Sequence, residues 1–461
     1  MSTPPLAGGP AGPDALRPLI AVVLDALRDG AAARGGPFPA GGPEAVAERV
    51  VRAAEPVLPD TGIGADEALR TLVRTVTEGA ADPADPLCAA HLHTSPLALA
   101  VAADLAASVL NPSLDSWDQA PSATELEAAV TRALGAEVFP EGRDPDALVT
   151  TGGTESNQLA LLLARERHRT ALQVICGAAT HHSVRRAAWL LGMPEPVTVP
   201  APSGILDPAA LDEALSSLPG SRLVVATAGT TDTGQIDPLA EIADLCARHG
   251  TELHVDAAYG GPLLFSAAHR GRLAGLERAQ SVTLDLHKLG WQPVAAGLLA
   301  VADRARLAPL NVTADYLNPD DDTEAGLPDV LGRSLRTTRR PDILKVAVTL
   351  KALGRTGLGV LVDRTCALAE QLAELVDKHP RLELYRRPTL STVLFRPVAA
   401  TDEETAAIRR RLLTEGRAVL GRARADDRLW LKATLLNPHA TTSDLEALLE
   451  LVEELVEGTT R

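Results

Sequence analysis

Short apolar runs alternate with amphipathic stretches through the middle of the chain. Apolar runs predict strands at Leu172–Cys176, Arg222–Thr227 and Glu252–Val255. The spacing of apolar residues between them predicts helices over Ser183–Leu191 and Pro238–His249. Strands that are apolar throughout and alternate with helices indicate a mostly parallel sheet covered on both faces. We therefore predict an α/β fold with ligands bound outside the carboxyl ends of the strands.

The two ends of the chain have different patterns. Helical spacing from Arg17 to Arg34, and again up to about residue 80, predicts a helical N-terminal extension over residues 1–85. Residues 86–345 hold the strand and helix alternation and form the predicted large domain. After that, a long helix (Val346–His379), short extended runs and two more helices predict a small α+β domain over residues 346–461.

Composition narrows the classes of protein and of partner. With 44 Lys+Arg and 60 Asp+Glu among 461 residues, the formal charge is −16, which argues against nucleic-acid or anionic-membrane partners. Four cysteines without C-x-x-C spacing predict neither a disulfide framework nor a zinc site. The start of the chain has no basic n-region, and its first apolar run, Leu19–Leu24, is too short to span a bilayer. We expect a cytoplasmic protein.

A turn with two glycines precedes an apolar helix predicted over Gln158–His168. The segment Thr150–Asn157 contains Gly152 and Gly153, and glycine lets backbone amides approach an anion. Thr154 as the N-cap would place the N-terminus of the helix beside that anion. The segment fits a phosphate group, and an ordinary glycine turn at a helix start is the alternative.

Two more polar residues follow predicted strands. His181 could stack on a flat cofactor or carry a proton, with a hydrogen-bonded loop histidine as the alternative. No third ligand lies at suitable spacing, so a metal site is not expected. Asp256 ends a buried strand, where a carboxylate needs a positive partner such as a protonated ring nitrogen or an arginine. An aspartate that caps the next turn is the alternative.

Lys288 directly follows an apolar run and is one of five lysines in the chain. A partly desolvated amine at a strand end can act as the free base in Schiff-base chemistry. Lys351 and Lys378 fit surface positions on helices, whereas Lys345 and Lys432 are rival candidates. A phosphate site, a stacking ring, an acid for a ring nitrogen and this amine are the parts that pyridoxal 5′-phosphate requires.

The motifs together resemble those of a known family, the group II pyridoxal-phosphate-dependent amino-acid decarboxylases. The resemblance implies the aspartate-aminotransferase (fold type I) architecture. The family motifs are Gly-Gly-Thr at 152–154, Thr180-His181, Ala228–Thr231, His254–Ala258 and His287-Lys288. Within the family, the chain is most similar to the L-2,4-diaminobutyrate decarboxylases and the siderophore-pathway lysine and ornithine decarboxylases. The segments that indicate this are Ala90–Thr94, Leu114–Gln119, His287–Pro293, Leu335–Arg340 and Leu431–Pro438.

The resemblance implies a role for each candidate site residue. Lys288 would form the Schiff base with the cofactor, His181 would stack on its ring near the substrate carboxylate, and Asp256 would pair with the ring nitrogen. It also implies a homodimer in which both chains line each active site. The remaining contacts would be Gly153, Thr154 and His287 with the phosphate, Ala258 with the ring, and Thr230 or Thr231 with the ring hydroxyl.

Substrate recognition has weaker signals in the sequence. A substrate with a terminal ammonium group, such as 2,4-diaminobutyrate, needs a carboxylate in the pocket, and Asp115 and Asp118 are candidates. The alternative is that both cap a turn or helix. The segment from His91 to Thr124 matches one that family members place near the substrate. Further candidates are His93, Thr124 and Arg340.

One departure from the family pattern leaves the outcome of the reaction open. Many family members have a loop tyrosine that protonates the substrate Cα after carbon dioxide leaves, whereas Leu327–Ser334 contains none and Tyr316 is the nearest upstream. His181 or a water would then donate the proton. A decarboxylating oxidase, a decarboxylase of an unusual amino acid and a non-catalytic scaffolding homologue are the alternatives.

Overall fold

The computed structural model describes residues 3–140, 144–168, 172–312, 314 and 317–459. Their contacts divide the chain into two compact units. The larger comprises Leu92–Ala369 and Pro388–Thr392, and the smaller comprises Met1–His91, Glu370–Arg387 and Val393–Arg461. The division into three domains at residues 85 and 345 stays a prediction.

The described helices and strands follow the alternation expected from the sequence. The helices are α1 (Gly12–Arg34), α2 (Gly42–Ala54), α3 (Ala65–Glu78), α4 (Ala98–Leu110), α5 (Pro121–Val138), α6 (Gly153–His168), α7 (Ser183–Leu190), α8 (Pro208–Ser217), α9 (Leu239–Arg248), α10 (Asp320–Glu324), α11 (Ile343–Lys378), α12 (Asp402–Thr414) and α13 (Thr442–Thr459). The strands are β1 (Cys88–Ala89), β2 (Asp146–Thr150), β3 (Leu172–Gly177), β4 (Val197–Val199), β5 (Ser221–Thr227), β6 (Glu252–Ala257), β7 (Ser281–Asp285), β8 (Gly297–Val301), β9 (Leu382–Leu384), β10 (Thr392–Pro397), β11 (Val419–Ala425) and β12 (Arg428–Thr434).

A seven-stranded sheet forms the centre of the larger unit, with strand order β2-β8-β7-β6-β5-β3-β4. The pairs from β7 to β4 are parallel, whereas β8 runs antiparallel to both of its neighbours. Because β8 reverses the direction twice, β2 points the same way as β7. The carboxyl ends of β2, β3, β5, β6 and β7 therefore meet at one edge. The predicted α/β fold with a mostly parallel sheet is confirmed.

Apolar packing holds these strands rigidly in place. On one face, α7 contributes Val184 and Ala187 to a buried cluster with Val174 and Val225 of the sheet. Each fully buried valine of this kind stabilises the fold by about 1.5–3 kcal/mol relative to an exposed one. The register places Asp256 of β6 beside Thr227 of β5 and Thr283 of β7. Residues at the strand ends are thus fixed by a core that excludes water.

The smaller unit contains a five-stranded sheet of order β1-β11-β12-β10-β9. Helix α12 packs on this sheet, and α1 packs on α3 in the N-terminal part. Within α2 and α3 no residue is fully buried. Over the described part of the chain, none of the helices combines the length and the apolar character needed to cross a membrane.

Candidate active site

A cavity of about 370 Å³ lies where the strands end, and we call it the strand-end cavity. It brings together eight of the predicted cofactor residues: Gly153, Thr154, His181, Thr231, Asp256, Ala258, His287 and Lys288. They come from the ends of five different strands, which explains why residues up to 135 positions apart meet here. The cavity is also lined by Leu92, Thr151, Gly152, Asn157, Thr227, Gly229, Tyr259 and Asp285.

The glycine turn (Thr151–Gly153) connects β2 to α6. Gly152 has φ 151°, which side chains disfavour, and a Cβ at Gly153 would lie 2.9 Å from the Cβ of Ala258. Helix α6 already begins at Gly153, so the expectation that Thr154 is its N-cap is wrong. Instead, the Glu155 carboxylate accepts hydrogen bonds from the backbone N–H and hydroxyl of Thr151, at 2.6 and 2.7 Å. The turn exposes backbone at a helix N-terminus, where an anion is stabilised.

Lys288 extends into the cavity from the loop after β7. Its Nζ lies 2.8 Å from Oδ2 of Asp285, and Nε2 of His287 lies 3.5 Å from the same oxygen. The rival Lys345 has no such freedom, because its fully buried amine is held between Asp104 and Asp342 at 3.1 and 3.2 Å. Of these two lysines, only Lys288 lines the strand-end cavity.

Asp256 is buried at the end of β6 and receives two hydrogen bonds from uncharged groups. Asn157 donates from Nδ2 to Oδ2 at 2.8 Å, and the Ala258 backbone N–H donates to Oδ1 at 3.1 Å. Within the described part of the chain no cation bonds to this carboxylate, which is only 5% exposed. Such burial is costly unless a positive ligand group completes the site. The geometry therefore favours a cationic ring nitrogen as its partner.

His181 is half-buried, and its Nδ1 lies 2.8 Å from the hydroxyl of Ser183. Burial lowers the pKa of His181 below its usual range, although the Asp256 carboxylate opposes this shift. Burial also lowers the pKa of His287, against the opposing effect of Asp285. Both rings are therefore neutral near pH 7 in the protein without ligand.

Asn157 is the functional candidate that the sequence analysis did not single out. Its fully buried side chain lies one helical turn into α6, between Asp256, Ser183 and His254. Burial lowers the pKa of His254 to about 4. The sequence did contain a signal for Asn157. It lies four residues after Gly153, where α6 begins, so both residues face the same side of the helix.

Of the two threonines expected near the ring hydroxyl, Thr231 lines the cavity and Thr230 does not. The Thr230 hydroxyl lies 2.8 Å from that of Thr233 and accepts a hydrogen bond from the Gln235 N–H at 3.1 Å. It therefore stabilises the turn after β5. Thr231 is the better candidate for contact with a ligand.

None of the predicted substrate residues lines the strand-end cavity of its own chain. His93 is exposed, Thr124 lines a separate cavity of about 640 Å³, and Arg340 pairs with Asp104 at 3.0 Å. Asp115 accepts a hydrogen bond from Gln119 at 2.7 Å, and Asp118 accepts one from Ser116 at 2.6 Å. Both aspartates thus make the local turn contacts that were the alternative interpretation.

The residues of the cavity fit pyridoxal 5′-phosphate. Oδ1 of Asp285 and Nδ1 of His287 are buried without a hydrogen-bond partner among the described residues. A Cβ added at Gly152 would lie 3.0 Å from Cε1 of His287 and 3.6 Å from Oδ1 of Asp285, so the glycine turn borders both side chains. A primary amine, an acid for a ring nitrogen, an imidazole and a helix N-terminus are also the donor set that this cofactor needs.

Comparisons with known proteins agree with this fit. Residues 51–398 match the pyridoxal-dependent decarboxylase conserved domain. The chain is 42% identical over 413 residues to the L-2,4-diaminobutyrate decarboxylase of Rhizobium meliloti (strain 1021), which covers 86% of this chain and 83% of that one. It is 31% identical over 428 residues to the enzyme of the same name from Acinetobacter baumannii, covering 85% and 84%.

A solved structure is similar over nearly the whole chain. The glutamate decarboxylase domain of diaminobutyrate-pyruvate transaminase and L-2,4-diaminobutyrate decarboxylase from Vibrio parahaemolyticus has a TM-score of 0.85 and 33% identity, covering 98% of this chain and 97% of that one. This protein belongs to the pyridoxal-dependent decarboxylase family. It is a pyridoxal-phosphate-dependent amino-acid decarboxylase. When bound, the cofactor supplies an electron sink for the bond that breaks at the substrate Cα.

Proposed function

We propose that the substrate is L-2,4-diaminobutyrate, which would be converted to carbon dioxide and 1,3-diaminopropane. Two relatives at 42% and 31% identity carry the name L-2,4-diaminobutyrate decarboxylase, and both alignments cover more than four fifths of each chain. The similar solved structure from Vibrio parahaemolyticus has the same activity in its description. Alternative substrates within the proposal are other amino acids with a terminal amine.

The roles of the site residues are part of the proposal. Lys288 would carry the cofactor, Asp256 would hold the ring nitrogen, and His181 would lie against the ring. The observation that carries this assignment is that one cavity is lined by a lysine amine, a buried carboxylate and a neutral imidazole. The glycine turn and His287 would hold the phosphate, Thr231 would contact the ring hydroxyl, and Ala258 would pack on the ring.

His181 is also our candidate for the proton that the substrate Cα receives. Tyr259 lines the cavity, but its hydroxyl lies 2.9 Å from both Ser391 Oγ and Thr392 Oγ1, and burial raises its pKa to about 12. The loop Leu327–Ser334 contains no tyrosine, and Tyr316 lies outside the described residues. Of the two histidines on the cavity wall, His287 would hold the phosphate, so the imidazole of His181 is our candidate for moving the proton.

We further propose a cytoplasmic homodimer. Helix α3 exposes Leu72 and Val76, and the preceding segment exposes Leu58 at 91% and Ile63 at 63%. A segment with several exposed apolar side chains suits an interface with a second chain. A second copy would also bring in a carboxylate for the substrate ammonium, for which the exposed Asp118 is a candidate. The four cysteines form no disulfide bond among the described residues, which suits a reducing compartment.

A substrate panel tests this proposal. Purified enzyme loaded with pyridoxal 5′-phosphate is incubated with L-2,4-diaminobutyrate, ornithine, lysine, glutamate and aspartate, while carbon dioxide, amine product and oxygen are measured. We expect diaminobutyrate to give the highest kcat/KM and one carbon dioxide per amine without oxygen uptake. Preference for another amino acid would contradict the substrate, and stoichiometric oxygen uptake would favour the oxidase alternative.

Two further measurements test the residues. Borohydride reduction followed by peptide mapping should place the cofactor label on Lys288, and a label on another lysine would contradict the site. Asp118→Asn should raise the KM for diaminobutyrate and leave that for a neutral amino acid unchanged. An equal change for both would remove Asp118 from substrate recognition.

A further inference from the structure

All four hydrogen-bonding positions of the Asn157 side chain are used, and none is used by solvent. Oδ1 accepts from Nε2 of His254 at 3.0 Å and from the Thr283 hydroxyl at 2.9 Å. Nδ2 donates to Oδ2 of Asp256 at 2.8 Å and to the Ser183 hydroxyl at 2.9 Å. Asn157, Ser183, His254 and Thr283 are fully buried. A buried amide satisfied at every position has one orientation only.

The Asp256 carboxylate fixes that orientation. Its Oδ2 is an acceptor 2.8 Å from the amide, so the NH₂ group has to face it. Rotating the amide by 180° would set the amide oxygen against this carboxylate. In the orientation that remains, Oδ1 accepts from the Thr283 hydroxyl at 2.9 Å and lies 3.0 Å from Nε2 of His254.

The Nδ2 side of Asn157 contacts two groups that line or border the strand-end cavity. Its donation to Oδ2 of Asp256, with that of the Ala258 N–H to Oδ1, holds the carboxylate in one position for a cationic ring nitrogen. Its donation to Ser183 occupies a lone pair of the hydroxyl and leaves the Ser183 hydrogen free to donate to Nδ1 of His181, at 2.8 Å. The Ser183 backbone N–H points at the same nitrogen at 3.3 Å. The hydrogen of neutral His181 therefore resides on Nε2.

We propose that Asn157 is a positioning residue that orients the Asp256 carboxylate as a hydrogen-bond acceptor and, through Ser183, sets the Nε2–H tautomer of His181. One amide would thus orient two groups of the site, the acid for the ring nitrogen and the imidazole beside the ring. The proposal rests on the roles of Asp256 and His181 given under Proposed function. It predicts that the Asn157 amide strengthens the binding of a cofactor that has a ring nitrogen and does not affect the binding of one that lacks it.

Asn157→Asp is the sharpest test. The substitution keeps the size of the side chain and both contacts on the Oδ1 side, but it replaces the donor that faces Asp256 with an acceptor. Apoprotein is titrated with pyridoxal 5′-phosphate and with its 1-deaza analogue, in which CH replaces the ring nitrogen, and the dissociation constants are measured by equilibrium dialysis. We expect about tenfold weaker binding of pyridoxal 5′-phosphate, with the analogue changed by less than roughly twofold.

The control and the wild type separate the possible outcomes. Asn318→Asp makes the same change at a buried amide that does not line the cavity, and it should alter neither constant. Equal weakening of both ligands by Asn157→Asp, or no weakening, would overturn the proposal. If the wild type itself bound both ligands equally, the role of Asp256 under Proposed function would fail. If the wild type and Asn157→Asp both preferred pyridoxal 5′-phosphate to the analogue by the same factor, the positioning role of Asn157 would be contradicted. The role of Asp256 would then stand.

Ser183→Ala tests the second half without touching Asp256. In apoprotein labelled with ¹⁵N-histidine, the His181 resonances are identified by their loss in His181→Gln. We expect the wild-type shifts of a single Nε2–H tautomer. In Ser183→Ala only the backbone N–H at 3.3 Å still faces Nδ1, so we expect shifts displaced towards those of the Nδ1–H tautomer, with unchanged cofactor affinity. Ser266→Ala, which loses a fully buried hydroxyl bonded to Asp363, is the matched control. An Nδ1–H tautomer in the wild type, or no change in Ser183→Ala, would contradict the proposal.

Discussion

The amine of the half-buried Lys288 and the carboxylate of the buried Asp285 form an ion pair, with 2.8 Å between Nζ and Oδ2. Both residues come from the end of β7, three positions apart, and Oδ1 of the same carboxylate has no hydrogen-bond partner among the described residues. The pair places a negative charge next to the lysine that carries the proposed chemistry. In the protein without cofactor, this pair holds the amine at the cavity wall.

The ion pair should be measurable as an interaction energy in the apoprotein. Asp285→Asn and Lys288→Ala each lower stability, because each leaves a charge without its partner. We expect the two losses to be non-additive, with a coupling energy of about 1–3 kcal/mol. Urea unfolding of the wild type, both single variants and the double variant checks this. Additive losses would show that the two groups do not interact.

A side chain at Gly153 should weaken the binding of the cofactor. The added Cβ of Gly153→Ala would lie 2.9 Å from the Cβ of Ala258 and would narrow the glycine turn. We expect about tenfold weaker binding of pyridoxal 5′-phosphate, equivalent to about 1.4 kcal/mol. Gly271→Ala is the control, because nothing lies within 4 Å of its Cβ. Unchanged binding in Gly153→Ala would place the phosphate elsewhere.

Lys345 should prove structural rather than catalytic. Its fully buried amine holds two carboxylates together, so Lys345→Met leaves Asp104 and Asp342 without that cation. We expect a loss of about 3–5 kcal/mol in the free energy of unfolding. The exposed Lys351→Met should change it by less than about 0.5 kcal/mol. The borohydride label should stay on Lys288 in both variants, and its loss in Lys345→Met would return Lys345 to the list of candidates.

Stability should fall on acidification partly because of His254. Burial lowers the pKa of this ring from 6.5 to about 4. The unfolded state therefore binds the proton more tightly, and stability present above pH 6.5 is lost as the pH falls towards 4. The loss is at most roughly 3 kcal/mol. His254→Gln should reduce the drop in thermal midpoint between pH 7 and 5, whereas the exposed His93→Gln should not. An unchanged drop in His254→Gln would mean that His254 is not buried as a neutral ring.

The sequence predicted the strands and the residues at their ends because both have local signals. Apolar runs mark β3, β5 and β6, and glycine, histidine, aspartate and lysine directly after strands are unusual enough to be noticed. The hairpin between β11 and β12 was not predicted. Its two-residue turn, Asp426-Asp427, has φ values of 47° and 59° and lacks the glycine that normally marks such a turn.

Contacts between distant residues could not be predicted from local patterns. Asn157 meets Asp256 across 99 positions and His254 across 97, and only the register of the sheet brings them together. The Thr154 cap was wrong for a different reason. The positive φ of Gly152 lets the chain enter the helix two residues earlier than the side-chain pattern indicated. Both results depend on backbone geometry that residue identities do not record.

The antiparallel strand β8 limits how this enzyme can be redesigned. It begins at Gly297, where an added Cβ would lie 2.5 Å from the Cα of Gly152. Any larger residue at that position would push the glycine turn and the loop of Lys288 apart, since β8 runs between the strands that lead to them. Libraries aimed at new substrates should therefore keep position 297 invariant and vary exposed positions such as 93 and 118.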